Sequence, residues 1–342
     1  MITEREINSL RANQRFIIRE LLARGVEVSL LDWENELLEA RRGRHYEILF
    51  DIDSSVVPYT ASVVSGSKSI TKQLLERAGI SVPRGRKFKS ESAKDVVAYA
   101  EYIGFPVVIK PSLGYQGKDV HTNLENAAEL QGALTNIINE RGHCEVLVEE
   151  HFDAKEYRIF VTREKQFAAL HRDPAHVVGD GMRTIKHLAY LETHRRMNPR
   201  KNCLCAIVLD EEARRYLAKQ GRTFMTIPQK GEKVYLRGSS NVMMGGVPED
   251  VTERIHPTLI DICFQALHVV PQLPYAGIDV LCLDPTKPQC ADTYKILELN
   301  SVPGIGIHMA PGKGASRNVA AMLADVIFPE TKEVSALVRN VA

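Results

Sequence analysis

An α+β fold is predicted for this chain of 342 residues, and three features of the sequence predict it. Short apolar stretches with strand-like patterning recur at Glu145 to Glu150, Glu156 to Val161, Gln166 to His171, Ala276 to Leu283 and Tyr294 to Leu299. Between them lie segments of helical character, at Ser67 to Gly79, Ser92 to Tyr102, Arg183 to His194 and His256 to Leu267. No internal repeat, coiled coil or low-complexity linker interrupts the series. The combination describes sheets and helices that enclose a cleft.

Taken in order, residues 1–66 read as helix, strand, helix, strand. Charged, helix-compatible residues run to Leu22; Gly25 and the apolar run Val26 to Leu31 come next, then Gly43 and the run Glu47 to Ile52. Such an α/β unit is short for an independent nucleotide-binding domain and is expected to pack against the remainder of the chain. The next helix, Ser67 to Gly79, sets Ile70, Leu74, Leu75 and Ala78 on one stripe and stops at Gly79. Pro83 marks a turn. The helix from Ser92 closes at Gly104, and a buried strand from Phe105 to Lys110 runs into Pro111. The strands at 145–150, 156–161 and 166–171 are expected in one antiparallel sheet. Further strand-like pieces lie at Cys203 to Leu209 and Lys233 to Arg237.

Composition bounds the partners. Apolar residues make up 44% and charged residues 25%, the balance of an ordinary globular protein. With 44 basic against 43 acidic residues the net charge is +1, which gives no general field for nucleic acid or an anionic membrane. No apolar run approaches the roughly 20 residues that span a bilayer. The N-terminus is charged with both signs from its fourth residue, unlike a secretory signal, so a cytoplasmic location is expected. The six scattered cysteines are expected to be reduced thiols. Cys203 and Cys205, set on one face of a strand-like stretch, are read as partly buried thiols in preference to a metal pair.

Two groups of residues carry chemistry. Lys110 ends a hydrophobic strand, which can bury its stem and aim the ammonium at a phosphate. Ser112-Leu113-Gly114-Tyr115-Gln116-Gly117-Lys118 comes directly after; its two glycines allow sharp bends, and exposed N–H groups there can cradle phosphate oxygens. A β-turn with a solvated lysine is the bland alternative. The loop matches neither the dinucleotide fingerprint nor a Walker A motif. Glu149 and Glu150 end one strand and Glu156 opens the next, where strand ends can meet an adenine and ribose hydroxyls; ordinary solvated acids are the competing reading. At the other end, Asp279 sits in an apolar strand, while Glu298 and Asn300 project to one face of another. These three oxygens form a hard donor set suited to magnesium, unless they merely line a solvent-facing edge.

Together Lys68, Lys110, the glycine loop, Asp279, Glu298 and Asn300 resemble the ATP-grasp superfamily. The likeness is closest to the ATP-grasp part of cyanophycin synthetase, then to the glutathione-synthetase half of bifunctional bacterial glutathione enzymes. It runs from Ser67 to Phe328, about three quarters of the chain. It includes Ser67 to Lys72, Phe105 to Gly117, Tyr157-Arg158 and Arg172 to Gly181 with Thr184-Ile185. Leu236-Arg237, Asn241, Gly245-Gly246, Asp250 to Thr252, His256-Pro257 and Glu298 to Gly304 with His308 complete it.

The resemblance implies an ATP-grasp domain over 67–330, with a central lobe near 105–165, a C-terminal lobe near 166–330 and ATP enclosed between lobes. A tail over 331–342 would come after it. It implies an ADP-forming ligase that activates a carboxylate as an acyl phosphate and joins it to an amine. Lys68, Lys110, Ser112, Gly114, Gly117, Glu149, Glu150 and Glu156 would bind ATP. Asp279, Glu298 and Asn300 would hold one or two Mg²⁺ ions, with Mn²⁺ as a substitute. Arg237 would steady the acyl phosphate, or else is a surface arginine. Arg172, His176, Asn241 and His308 would surround the acceptor or carboxylate pocket; a structural hydrogen bond is the alternative for His176. The partners implied are a small-molecule carboxylate and amine, with no nucleic acid and no membrane. The short N-terminal region leaves surface to cover, for which a homodimer is a reasonable expectation.

Three departures stand out. Asp119 replaces a glycine usual in cyanophycin synthetases. Met243-Met244 stands where small or hydroxyl residues are typical, which predicts a more apolar pocket wall. The sequence ends near residue 342, without room for the Mur-ligase-like half, so polymer synthesis by this chain alone is not expected. A glutathione-synthetase-like ligase and a non-catalytic ATP-binding regulator are the alternatives.

Overall fold

A reciprocal cap starts the chain: the Thr3 hydroxyl accepts from Glu6 N–H, and the Glu6 carboxylate accepts from Thr3 N–H at 2.7 Å. In this computed structural model, which describes residues 2–89, 92–112, 120–140, 142, 144–197 and 203–332, helix α1 (Glu4–Ser9) leads to α2 (Ala12–Ala23). Ile17, Ile18 and Leu21 of α2 are fully buried, each contributing about 1.5–3 kcal/mol by leaving water. Three strands come next, β1 (Glu27–Asp32), β2 (Leu37–Arg42) and β3 (His45–Phe50), in an antiparallel meander.

The second helix expected in this region is therefore a strand, β2. Glu, Leu, Ala and Arg favour a helix by propensity, but here alternate residues are buried, Leu38 and Ala40 completely. The turns decide the outcome locally. Asp32 accepts from Asn35 N–H at 2.8 Å between β1 and β2, and Gly43, at φ 60°, turns the chain between β2 and β3. The segment packs against the rest as expected. Its core residues join one apolar cluster with residues 157–328, and the buried Arg24 reaches Asp325 at 2.6 Å, Thr331 Oγ1 at 3.1 Å and the Ala321 carbonyl at 2.9 Å.

Helices α3 (Tyr59–Gly66) and α4 (Lys68–Arg77) come next. The buried face of α4 is Thr71, Lys72 and Leu75, whereas Ile70 and Ala78, expected on the stripe, are exposed. The polar residues turned inward find partners there: Lys72 meets Glu149 at 2.9 Å and Thr71 Oγ1 donates to the Val64 carbonyl at 2.9 Å.

A four-stranded antiparallel sheet is built from β4 (Gly85–Lys89), β5 (Val107–Pro111), β6 (His121–Leu124) and β7 (Glu145–Glu150) in the order β4-β7-β5-β6. Helices α5 (Ala93–Ile103), closed by Gly104 at φ 89°, and α6 (Ala127–Thr135) cover it around Val96, Ala100, Leu130 and Leu134. The strands β8 (Lys155–Thr162) and β9 (Phe167–Asp173) belong to another sheet. This corrects the expectation of one sheet for all three: β7 has both its edges taken, by β4 and β5.

A two-stranded ribbon, β10 (His176–Val178) with β11 (Lys233–Tyr235), packs with α7 (Ile185–Arg196) and α8 (Glu211–Lys219). The strand expected at Cys203 to Leu209 has no ladder. Cys203 N–H donates to the Ala310 carbonyl at 2.9 Å and Ile207 N–H to Thr193 Oγ1 at 3.1 Å. The large sheet is completed by β12 (Val247–Asp250), β13 (Tyr275–Cys282) and β14 (Tyr294–Asn300), in the order β12-β9-β8-β13-β14. Helices α9 (Pro257–His268), α10 (Gly306–Met309) and α11 (Val319–Ile327) pack with it. Among the described residues no helix is long and apolar enough to cross a membrane.

Candidate active site

A cleft of roughly 3130 Å³ runs between the two larger sheets and the ribbon unit. Ordinary small-molecule pockets hold about 300–1,000 Å³, so this one has room for several ligands at once. Lys68, Lys110, Glu149, Glu150, Glu156, Arg172, Arg237, Asn241, Asp279, Glu298 and Asn300 all line it.

At one end, Lys110 from β5 and Lys72 from α4 both reach Glu149 on β7, at 2.6 Å and 2.9 Å. All three are buried. Burial works to raise the Glu149 carboxyl, but the Lys110 and Lys72 ammoniums hold it below the usual range. Two cations facing one acid leave positive charge in excess, which suits a polyanion. Glu150 accepts from Arg84 N–H at 2.9 Å, and Ser112 is buried, its N–H on the Glu145 carbonyl. Gly114 and Gly117 lie outside the described residues.

At the other end, Asp279 stands opposite Glu298 across β13 and β14, and Asn300 opposite Gly277. Asn300 Nδ2 donates to Glu298 Oε1 at 3.1 Å and to the Gly277 carbonyl at 3.2 Å. Arg158, from β8, makes a bidentate pair with Asp279, its second bond at 3.0 Å. Arg172 reaches the same carboxylate at 3.3 Å and also binds Glu156, which accepts from Ser240 as well. Lys68 lies 3.2 Å from Glu298. Thus Glu156, Asp279 and Glu298 are matched by Lys68, Arg158 and Arg172. Burial pushes the Asp279 carboxyl up against the pull of Arg158 and Arg172. Burial acts the same way on Glu298, but Lys68, Arg158 and the Asn300 amide hold that carboxyl low.

The donor chemistry fits a hard divalent cation. Among the described residues no group of three or more His, Cys, Asp and Glu forms a ready-made cage. Two carboxylates and an amide are what an ion shared with phosphates requires.

The remaining expected residues are placed differently. Arg237 is 1% exposed; its guanidinium is held by Asp210 at 2.7 Å and Glu212 at 2.6 Å, and its Nε has no hydrogen-bond partner. Asn241 Oδ1 caps the turn at Met243 N–H, at 2.9 Å. His176 meets the Pro174 carbonyl at 2.8 Å, and burial lowers its pKa. His308 packs edge-on to Phe160, and burial pushes its pKa down to about 3, so it is a neutral imidazole. Neither histidine is among the residues lining the cleft.

Comparison with known proteins identifies the fold. Residues 67–172 match the family model of the carbamoyl-phosphate synthase L chain, ATP binding domain. The crystal structure of a bifunctional glutathione synthetase from Pasteurella multocida superimposes with a TM-score of 0.67 at 27% identity, over 93% of this chain and 44% of that one. The chain has an ATP-grasp fold.

Curated relatives agree. Cyanophycin synthetase from Geminocystis herdmanii is 32% identical over 335 residues, covering 95% of this chain and 38% of the relative. The glutathione biosynthesis bifunctional protein of Desulfotalea psychrophila is 29% identical over 94% of this chain and 41% of the relative. The ATP-grasp chain therefore spans about two fifths of the length of these relatives.

Three members of this cluster have no role assigned from sequence. Lys72 comes one helical turn after Lys68, a spacing that places both on one face. Arg158 lies two residues beyond Glu156 on a strand, again on one face. Ser240 carries no signal of its own, since only the fold brings it to Glu156.

Proposed function

We propose that the chain is an ATP-dependent carboxylate–amine ligase, forming an amide or peptide bond on an amino acid or small peptide with release of ADP and phosphate. The observation that carries the reading is the joining of both ends of the cleft. Lys68, one helical turn from the Lys72 that meets Glu149 at one end, lies 3.2 Å from Glu298 at the other. Lys110 and Lys72 supply further cations where a polyphosphate would lie, and Asp279, Glu298 and Asn300 supply the oxygens for Mg²⁺ or Mn²⁺.

In this reading the substrate carboxylate attacks the γ-phosphorus of ATP, and the bond to the bridging oxygen breaks to release ADP. The amine nitrogen then attacks the acyl carbonyl. A C–N bond forms as the C–O bond to phosphate breaks, phosphate leaves with the electron pair, and the amine proton passes to phosphate or water. The metal, when bound, neutralises charge on the phosphates. Lys68, Lys72 and Lys110 orient the polyphosphate and stabilise the transferring group by preorganised charge. Closure around the cleft keeps water from the acyl phosphate, whose hydrolysis competes with amine attack. No added nucleophile is needed, because ATP supplies the activation. A small-molecule carboxylate and amine, action in the cytoplasm and a homodimer complete the proposal.

The test is Mg²⁺-dependent ADP release with ATP and pooled amino acids, small peptides and polyamines, followed by mass analysis. ADP formation tied to one new amide mass is expected, and Asp279→Asn, Glu298→Gln and Lys110→Ala should each lose it while staying folded. Wild-type-like product from all three variants would sink the assigned site. ATP binding without ADP release across a broad panel would favour a non-catalytic regulator instead.

A further inference from the structure

Helix α2 forms a wall of the cleft beyond the metal end. Asn13 fixes it there: its Oδ1 accepts from the N–H groups of Ile305 at 3.0 Å and Gly306 at 3.2 Å, just past the strand that carries Glu298 and Asn300. Arg11, just before this helix, and Arg15 and Arg19 on it, four residues apart, line the cleft. Arg11 is held by Glu36 at 2.6 Å, and Arg19 by Glu4 at 3.1 Å and Asn8 at 2.9 Å. Among the described residues the Arg15 guanidinium has no such partner.

The surface beside Arg15 is apolar and rich in sulfur. Phe16 and Cys203 both close on Gly306, where an added Cβ would lie 3.6 Å and 3.1 Å from them. Leu204 and Cys205 continue the wall, and Cys205 Sγ lies 3.7 Å from Met243 Sδ. Burial pushes the Cys203 thiol up against the pull of the Arg15 charge, so it presents a neutral surface. Met243 is 56% exposed, although covering such a side chain contributes about 1.5–3 kcal/mol. A thioether adapts readily to the shape of whatever covers it.

We propose that this wall binds the amine substrate, an α-amino acid with an apolar side chain, with Arg15 holding its carboxylate and the sulfur-lined strip taking its side chain. The proposal rests on the ligase reading above and adds the chemical class of the acceptor. An acceptor that carries its own carboxylate must keep it away from the phosphates, or it would be activated in place of the intended donor. A cation at the far wall does that and leaves the amine facing the reaction. A basic side chain would gain nothing from the apolar strip, and glycine would leave it uncovered.

Isothermal titration on the full chain saturated with Mg²⁺ and ADP tests this, with L-leucine, leucinamide, glycine and L-arginine as probes. L-Leucine is expected to bind at least about tenfold more tightly than the other three. Arg15→Gln should abolish its advantage over leucinamide, Arg15→Lys should restore part of it, and Met243→Asp should weaken leucine about tenfold, with ADP affinity unchanged throughout. Leucine binding no better than the other probes, or discrimination that survives Arg15→Gln, overturns the site. Arg15-dependent leucine binding without ADP release on any carboxylate panel would instead overturn the ligase reading and leave the site standing. Amide products formed only with glycine or basic acceptors would overturn the site and leave the ligase.

Discussion

Lys68 Nζ and Glu298 Oε2 lie 3.2 Å apart, so a cation from α4 occupies the position next to the acid that would share a metal ion. The contact neutralises Glu298, and in the proposed ligase it would give way when nucleotide and metal enter. In the proposed ligase Lys68 would compete with the ion in one state and bind phosphate in the other.

Lys68→Met should separate these roles. Without nucleotide the variant is expected to bind Mn²⁺ more tightly than wild type, because Glu298 has lost a competing charge. Its ATP dissociation constant should rise about tenfold, in line with a lost charge-assisted bond of about 1.5–3 kcal/mol. Electron paramagnetic resonance of free Mn²⁺ reads the first effect, and unchanged affinity would exclude the competition.

Glu149 governs an acid-dependent part of stability. Its folded carboxyl is held low by Lys110 and Lys72 despite burial, so its contribution is complete above the unfolded carboxyl pKa of roughly 4.3 and fades as pH falls through the lower folded value. Glu149→Gln leaves two buried ammoniums facing each other and should cost on the order of 3 kcal/mol at pH 7. Urea unfolding should show the gap between variant and wild type constant from pH 7 down to roughly 4.3 and closing as the pH falls further. A gap that stays constant into acid would refute the assignment.

Arg24 is 2% exposed and bound to Asp325, Thr331 and the Ala321 carbonyl. Arg24→Ala strands a buried carboxylate and should destabilise the fold by about 3–5 kcal/mol. Replacing Arg24 and Asp325 together by Met and Leu should recover most of that loss in thermal unfolding. No recovery in the double variant would show that shape, not charge, holds the junction.

Gly277 leaves the space in which Arg158 reaches Asp279. A Cβ there would come 2.6 Å from Pro303 Cβ and 3.0 Å from Arg158 Nη1. Gly277→Ala should therefore displace Arg158 from Asp279, destabilise by about 1–3 kcal/mol and slow ATP turnover about tenfold. Wild-type turnover in the folded variant would free Arg158 from any part in positioning Asp279.

The alternation of Glu298 and Asn300 with Leu297 and Leu299 is legible in the sequence because a strand sorts its side chains by parity alone. That Asp279 faces Glu298 depends on the pairing of β13 with β14, and that Glu149 faces two lysines depends on β5, β7 and α4 meeting. Neither can be inferred from local pattern. β2 departs from expectation for a related reason: its residues favour a helix, and the turns on either side together with the burial of Leu38 and Ala40 make them a strand. Arg237 illustrates the limit in the other direction. Its sequence context singles it out, yet Asp210 and Glu212, which fix its guanidinium, lie on another element.

The pairing of Arg24 with Asp325 joins residues 301 positions apart. A chain emerging from the ribosome makes α2 about 300 residues before its partner, so the apolar face of α2 and a charged arginine wait without that cover while the intervening residues are made. The wall that carries Arg15 is thus finished only after Asp325 has been made. Until then a chaperone that covers apolar helices has a ready client in α2, and the wall of the cleft that α2 forms stays open.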